Sequence, residues 1–392
     1  MTTRGARPRQ HGRESGQIIV IAALAMIAII GGVALVLEGG NAYANQRMAQ
    51  NAADAVAHAG ATVLAQRLGG TAKDDDDVAA WMQTIADANG LSSFTGYYVN
   101  VLGRPITAAG LEATSQGEWV QVGTVGEDLP PPPKAQGVRV TGTRNFGTTF
   151  GRVIGFNTLD ATADATAVMG RLTGGSFMPL VLPVSPSECS NSGFLQPFDD
   201  PTKPAMWYMS NPGTGHPSGT EYVVPLCKTG GGSFMFLDLD PDLDCGEEVA
   251  NPPAVQFDSF PVAVGTDTGA DCQTKVAAAV TAADLQGKVV LIPVCDSDCI
   301  TGGGSTSEYH IVRIAAFFVD FMSFTGSNPN NGTVEPCERT TSPTYGTPLV
   351  PFVSGNGSDG CIAGWFVRYI TAGPVGSLDV YNGEAIGVQL IR

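Results

Sequence analysis

The sequence predicts an α+β chain: an N-terminal transmembrane helix extended into a long amphipathic helix, a small α+β region, and a mostly-β, disulfide-rich distal domain. Three observations carry that prediction. Ile18–Leu37 is a run of twenty residues without charge or proline, the length an α-helix needs to cross the hydrocarbon core of a bilayer. Fifty glycines and 26 prolines among 392 residues make the remainder turn-rich, which favours short strands over a helical bundle. All eight cysteines lie in the distal part of the chain. The expected organisation is a cytoplasmic basic stub over 1–17, the transmembrane helix over 18–38, a membrane-proximal α+β region over 39–173, and a cysteine-rich extracytoplasmic domain over 174–392.

Topology follows from the flanks of the apolar run. Arg4, Arg7, Arg9 and Arg13 precede it against a single Glu14, and the positive-inside bias keeps such a stub in the cytoplasm. A cleaved signal peptide is the competing reading, with Ala42-Tyr43-Ala44 as an A-x-A-like site. Its apolar region would be about 7–15 residues, shorter than the run here. The expectation is a retained, single-pass anchor in the cytoplasmic membrane with the C-terminal bulk exported. That bulk is acidic: the chain carries −16, and the first 14 residues contribute +3, leaving −19 beyond them. Such a surface repels phosphate backbones, so no nucleic-acid partner is expected.

The helix is expected to continue past the membrane. Asn41–Leu68 has no proline, and ten of its 28 residues are alanine, the strongest helix former. Met48, Ala52, Val56, Ala59 and Val63 step by four, four, three and four, one face of a helix; Asn45, Asp54 and His58 fall largely off that stripe. Ile18–Leu68 would be a rod of roughly 75 Å, with Gly39-Gly40 and Gly60 as places to kink and Gly69-Gly70 as its stop. A second helix should start at Asp74–Asp77, where acids suit a helix N-terminus, with that run read as solvated. It should bury Val78, Trp81, Met82 and Ile85 and end at Gly90.

Strands are expected at Tyr97–Leu102, Glu118–Val122, Val138–Thr141 and Leu159–Val168, with Pro130–Pro133 as a stiff connector. Beyond Gly174 they recur at Met178–Pro183, Ser233–Leu239, Lys288–Val294, Tyr309–Phe324, Gly364–Thr371 and Ile386–Ile391, with one short helix candidate at Thr274–Leu285. Cys189, Cys227, Cys245, Cys272, Cys295, Cys299, Cys337 and Cys361 read as a disulfide framework of an exported domain, its pairing left open. Zinc is the rival, but Cys295-x-x-x-Cys299 lacks a second pair at finger spacing.

The N-terminal segment resembles a known family. Arg13-Glu-Ser-Gly16-Gln17 leads into the apolar run, Glu38 ends it, Asn41-Ala-Tyr43 follows, and Arg47-Met-Ala-Gln50-Asn51-Ala-Ala-Asp54-Ala55 comes next. This layout is similar to that of TadE/TadG-like proteins of the tight-adherence (Flp) pilus assembly system, with Gln50–Ala55 its most specific part. Glu38 stands where aspartate is common in the family. A weaker echo spans Val138-Arg-Val140, Phe146-Gly-Thr148-Thr149-Phe150, Gly155-Phe156 and Ala161–Ala167. The resemblance covers about residues 13–170. It implies a membrane-anchored structural or accessory protein in assembling an adhesive pilus. The implied partners are the membrane and other pilus-assembly proteins met through the long helix, and an oligomer is an option. Gly16, Gln17, Glu38, Tyr43, Gln50, Asn51 and Asp54 are the anchor and family-motif residues. No catalytic residue and no cofactor is implied.

Other chemistries fit less well. Pilin processing would cut after Gly16, but the fifth residue beyond is Ile21 where pilins carry Glu. Family relatives with a von Willebrand A-type domain need D-x-S-x-S, which does not occur. The run Asp238-Leu-Asp240-Pro-Asp242-Leu-Asp244 spaces carboxylates as a Ca²⁺ loop can, yet Leu243 and Val249 stand where an EF-hand needs Gly and Glu; a strand entering an acidic turn is the plainer reading. Gly355-Asn-Gly357-Ser-Asp-Gly360 fits a dinucleotide pattern but leads into a strand-like sequence rather than a helix. There is no G-x-S-x-G or H-E-x-x-H. His11 would be cytoplasmic and His58 lies on the long helix; His216 and His310 are tied to no nucleophile, and His310 reads as a packed strand residue. The expectation is a protein that is not an enzyme. An anchored binding or hydrolytic domain and a processed pseudopilin remain the alternatives.

Overall fold

A computed structural model of the chain describes residues 15–126, 128–183, 206–207, 215–217, 221–226, 228–229, 233–234, 236–257, 262–265, 285–301, 308–323, 340–350, 360–378, 380 and 384–391. The basic stub, Cys189, Cys227, Cys272, Cys337, the helix candidate Thr274–Leu285 apart from Leu285, and the glycine-rich loop before Gly360 lie outside the described residues. The fold is α+β, a long N-terminal helix followed by a sheet-rich body.

Helix α1 runs unbroken over Ser15–Leu68. Among the described residues, its apolar window carries no buried residue. Its inner half is core. Ala49, Ala52, Ala53, Val56, Ala57, Ala61, Leu64 and Ala65 are all buried. Four residues of the predicted stripe, Ala52, Val56, Ala59 and Val63, are buried, whereas Met48 stands 49% exposed and Asn45, expected off the stripe, is buried. Gly60 does not kink the helix. A Cβ there would lie 2.9 Å from both Met82 Sδ and Val138 Cγ2, so the residue is small to let a second helix and a strand approach. Gly60→Val forces Val138 to move, and overpacking of this kind costs up to about 3 kcal/mol. Urea unfolding of the detergent-solubilised chain should show that loss, and an unchanged midpoint would contradict the close approach. Gly70, at φ +90°, supplies the left-handed residue that ends the helix.

Helix α2, Asp75–Ala88, begins at a capping box. Asp74 accepts from Asp77 N at 2.8 Å, and the Asp77 side chain accepts in return from Asp74 N. The acidic run is not simply a solvated helix start, because Asp75 is fully buried. Its Oδ1 accepts from the Tyr98 hydroxyl at 2.6 Å and from Gly123 N at 2.9 Å; its Oδ2 accepts from Val125 N at 2.8 Å. Three donors lying 23 to 50 residues away explain how a carboxylate can sit in the core. Val78 and Met82 face inward as predicted, but Trp81 is 48% exposed.

Sixteen strands follow among the described residues. The first are β1 (Ser93–Val99), β2 (Gly137–Gly147), β3 (Thr158–Arg171) and β4 (Gly174–Ser176). The distal ones are β5 (Leu182–Pro183), β6 (Met206–Trp207), β7 (Glu221–Leu226), β8 (Lys228–Thr229), β9 (Ser233–Phe234), β10 (Ala254–Gln256), β11 (Val262–Gly265), β12 (Val289–Thr301), β13 (Glu308–Ser323), β14 (Leu349–Val350), β15 (Gly360–Ala372) and β16 (Ala385–Ile391). A short helix, α3 (Cys245–Ala250), lies between β9 and β10. The predicted strand Glu118–Val122 is instead a 3-10 turn at Gln116–Glu118 followed by an isolated bridge from Gln121 to Tyr97. The first predicted strand starts and ends earlier, at Ser93–Val99.

The main sheet runs β1-β2-β3-β16-β15-β13-β12-β5. Its pairing crosses the residue 173/174 boundary: the C-terminal β16 pairs antiparallel with β3 and parallel with the end of β15. The earlier part of β15 pairs with β13 and β7. Separate cores pack along this sheet. One packs α1 and α2 on β2, β3 and β16, where Ala161, Ala163, Ala165 and Ala167 alternate inward to meet the alanine face of α1. Two others are built on β13 and β15, one with Phe317 and Phe366 and one with Phe318 and Trp365. Cys245, Cys295 and Cys361 are buried in the distal part.

Candidate functional site

Glu38, Gln50 and Asp54, three of the motif residues singled out from the sequence, lie on a seam where α1 meets the sheet. Glu38, one residue past the apolar run, accepts from the backbone N–H of Thr149 and of Phe150, each at 3.1 Å. Three residues on, Asn41 Nδ2 donates to Gly147 O at 3.2 Å. Asn45 Oδ1 accepts from Arg144 Nε at 3.2 Å, and the same guanidinium donates to Asn89 O and Gly90 O at the end of α2. Gln46 Nε2 donates to Thr162 O at 2.8 Å and Gln50 Nε2 to Asp164 O at 3.0 Å. Gln50 also reaches Asp54 Oδ1 at 2.9 Å, one helical turn further.

The seam has a geometric basis. β16 covers β3 only from Thr166 to Arg171, so among the described residues no strand covers that edge of β3 between Thr158 and Ala165. Outward carbonyls on an open edge need donors. Two helix residues four apart are separated by about 6 Å along the axis, and two strand residues two apart by about 6.8 Å. Gln46 and Gln50 can therefore serve Thr162 O and Asp164 O in register. Beneath them the facing surfaces are mostly alanine, and small side chains bring the backbones close enough for glutamine to span the gap.

The family-motif positions divide between two faces. Glu38, Gln50 and Asp54 belong to the seam. Tyr43, 67% exposed, and Asn51 point away from it, beside exposed Arg47. Gly16 and Gln17 lie in the first turns of α1. Sequence reasoning missed Asn41, Asn45, Gln46 and Arg144 as contacts. The helical spacing of Asn41, Asn45 and Gln46 from Glu38 was a usable signal, but the strand groups they meet are about 100 residues away.

Residues 16–63 match the family described as putative Flp pilus-assembly TadE/G-like.

The TadE/G-like segment thus contains the apolar run, Glu38, the seam and most of the alanine face. No curated protein and no solved structure matches the chain. α1 is the one helix among the described residues long and apolar enough to cross a membrane. Together these fit a membrane-anchored protein associated with the Tad pilus system.

The remaining candidate groups have structural surroundings. His216 stacks on Trp365 with ring centroids 5.2 Å apart and lies 4.7 Å from Tyr345. His310 is half-buried in β13, opposite Ala263. In the acidic string, Asp244 caps α3 by accepting from Gly246 N and Glu247 N. The buried Glu248 accepts from Leu239 N and Asp240 N, so the string folds as an acidic turn running into a capped helix. The residues after the glycine-rich loop form β15, a strand, where a dinucleotide site needs a helix. Cys295 and Cys299 sit where β12 and β13 lose register, between the pairs Cys295–Ile311 and Ile300–Tyr309.

Proposed function

We propose that the chain is a structural or accessory protein of Flp-type pilus assembly, or of a related envelope apparatus. It is anchored in the cytoplasmic membrane by α1, with a cytoplasmic N-terminus and an extracytoplasmic body, and it performs no catalysis. The observation that carries this reading is the coincidence of the TadE/G-like match with the membrane helix and its seam. Anchor and body are built as one unit: the helix that leaves the membrane is the same one that nucleates the first core. The match supports a role in an assembly. Its matched residues supply packing and edge-capping groups.

The alanine face that suggested contact with other helices is occupied by the chain's own sheet. Contact with other pilus-assembly proteins is therefore assigned to the opposite face, Tyr43, Arg47, Met48 and Asn51, and to the apolar run. The eight cysteines are proposed as a disulfide framework that holds the turn-rich distal part together, as expected of an exported domain.

Deleting the gene tests the reading. Surface pili should fall in number or length, and the full chain should restore them, while a chain lacking residues 18–37 should not. Unchanged pili after deletion would reject the assignment. N-terminal sequencing of the membrane-extracted protein separates the pseudopilin alternative, which predicts a chain beginning at Gln17.

A further inference from the structure

Glu38 fixes the height of the β2–β3 connection relative to the membrane. The apolar run is about 30 Å long at 1.5 Å per residue, equal to the hydrocarbon thickness. Its last residue, Leu37, therefore lies at the boundary and Glu38 at headgroup level. Thr149 and Phe150, hydrogen-bonded to Glu38, belong to the connection between β2 and β3, and Asn41 holds Gly147 at its start. The connection closes on itself, since Thr148 N donates to Asn157 O at 3.1 Å and Phe156 N to Gly151 O at 2.9 Å.

Three large apolar side chains are exposed at this tip and its junction with β3, among the polar Thr149, Asn157 and Thr158. Val153 is 85% exposed, Phe156 61% and Leu159 39%. Arg152 is exposed among them. From Gly147 to Thr158 the segment has one basic residue and no acid, in a chain of net charge −16. An apolar wedge with a single cation whose stem can lie along acyl chains suits the headgroup–acyl boundary.

We propose that the β2–β3 tip inserts Val153 and Phe156 into the outer edge of the bilayer, forming a second membrane contact beside α1. This rests on α1 spanning the membrane. Two contacts fix the tilt and rotation of the body, whereas a lone helix leaves it free to swing. The side chains then lie roughly 5–10 Å deep, the depth of interfacial segments.

Brominated lipids quench tryptophan by contact and so read depth. The full-length chain is reconstituted in phosphatidylethanolamine–phosphatidylglycerol vesicles, with Phe156→Trp, Val153→Trp and, within the run, Leu24→Trp made separately. The emission of the four native tryptophans is subtracted. Thermal melts check that each variant folds. The expected result is that Phe156→Trp and Val153→Trp lose most of their added emission to lipids brominated near the headgroup end, and less to lipids brominated near the chain end. Leu24→Trp should show the reverse order. Quenching of Leu24→Trp with none at 153 and 156 would overturn the insertion, leaving the tip to a protein partner. No quenching of Leu24→Trp would overturn the spanning helix and the insertion with it.

Discussion

Asp75→Ala should destabilise the membrane-proximal unit by about 4 kcal/mol. A hydrogen bond to a charged group contributes ~1.5–3 kcal/mol, and a buried donor stripped of its acceptor adds its own desolvation penalty. Here three donors lose their partner together: the Tyr98 hydroxyl, Gly123 N and Val125 N. Tyr98 is completely buried. Burial, reinforced by the Asp75 carboxylate, holds its phenol far above the ordinary value, so it stays a donor throughout the accessible pH range. Asp75→Asn should lose less. Its oxygen can still accept from Tyr98 and Gly123, while its NH₂ opposes Val125 N. Tyr98→Phe should lose least, since Asp75 keeps both backbone donors. Denaturant unfolding followed by near-ultraviolet circular dichroism would rank the three. Equal effects for Asn and Ala would show that geometry at Oδ1 does not matter and that charge alone does.

The distal sheet should lose stability as pH rises from about 4.5 to about 8, and Glu221→Gln should remove that dependence. Glu221 and Asp320 are both fully buried. Asp320 stands where β13 and β15 lose register between Val319 and Phe321. The Ser342 hydroxyl donates to its Oδ2 at 2.6 Å, and the Thr347 hydroxyl donates to Glu221 Oε2. Burial, together with the hydrogen bond and negative charge of Asp320, pushes Glu221 from its ordinary 4.5 up to about 8. The folded state therefore holds a proton that the unfolded chain releases between those values. Binding more protons when folded, the protein is most stable below the lower pKa, and that contribution is lost as pH rises through the upper one. Glutamine imitates the protonated acid: its NH₂ can donate to Asp320 and its oxygen can accept from Thr347. Thermal melts of the wild type across pH 5–9 should slope downward, with Glu221→Gln flatter and more stable at the alkaline end. A wild type as stable at pH 8.5 as at pH 5 would contradict a proton held by Glu221 in the folded state.

Local patterns were legible in the sequence because their causes are local. The charge-free run, the alanine-rich extension, the glycine stop and the acidic start of α2 each depend on neighbours within a turn or two. The structure places helices at Ser15–Leu68 and Asp75–Ala88 accordingly. The alternation over residues 159–168 read as a half-buried strand, and alanines at every second position of β3 do face the core. Side-chain destinations were less legible. Asn45 and Met48 exchange the roles expected of a polar and an apolar residue, because the open edge of β3 and Arg144 decide which face of α1 is inward. Asp75 looked like its exposed neighbour Asp76 until three donors from distant segments surrounded it.

The sequence by itself determined that the chain begins with a membrane-length helix carrying a TadE/G-like pattern, and that a turn-rich, cysteine-bearing body follows. Helix length, hydropathy and capping are properties of contiguous residues, so a linear reading suffices for them. Only the tertiary structure decided what the pattern does. Glu38, Asn41, Gln46 and Gln50 meet backbone groups more than 100 residues away, and the last strand returns to pair with β3 across some 220 residues. Such pairings depend on loop closure and on which edge is left uncovered, and these are properties of the assembled sheet.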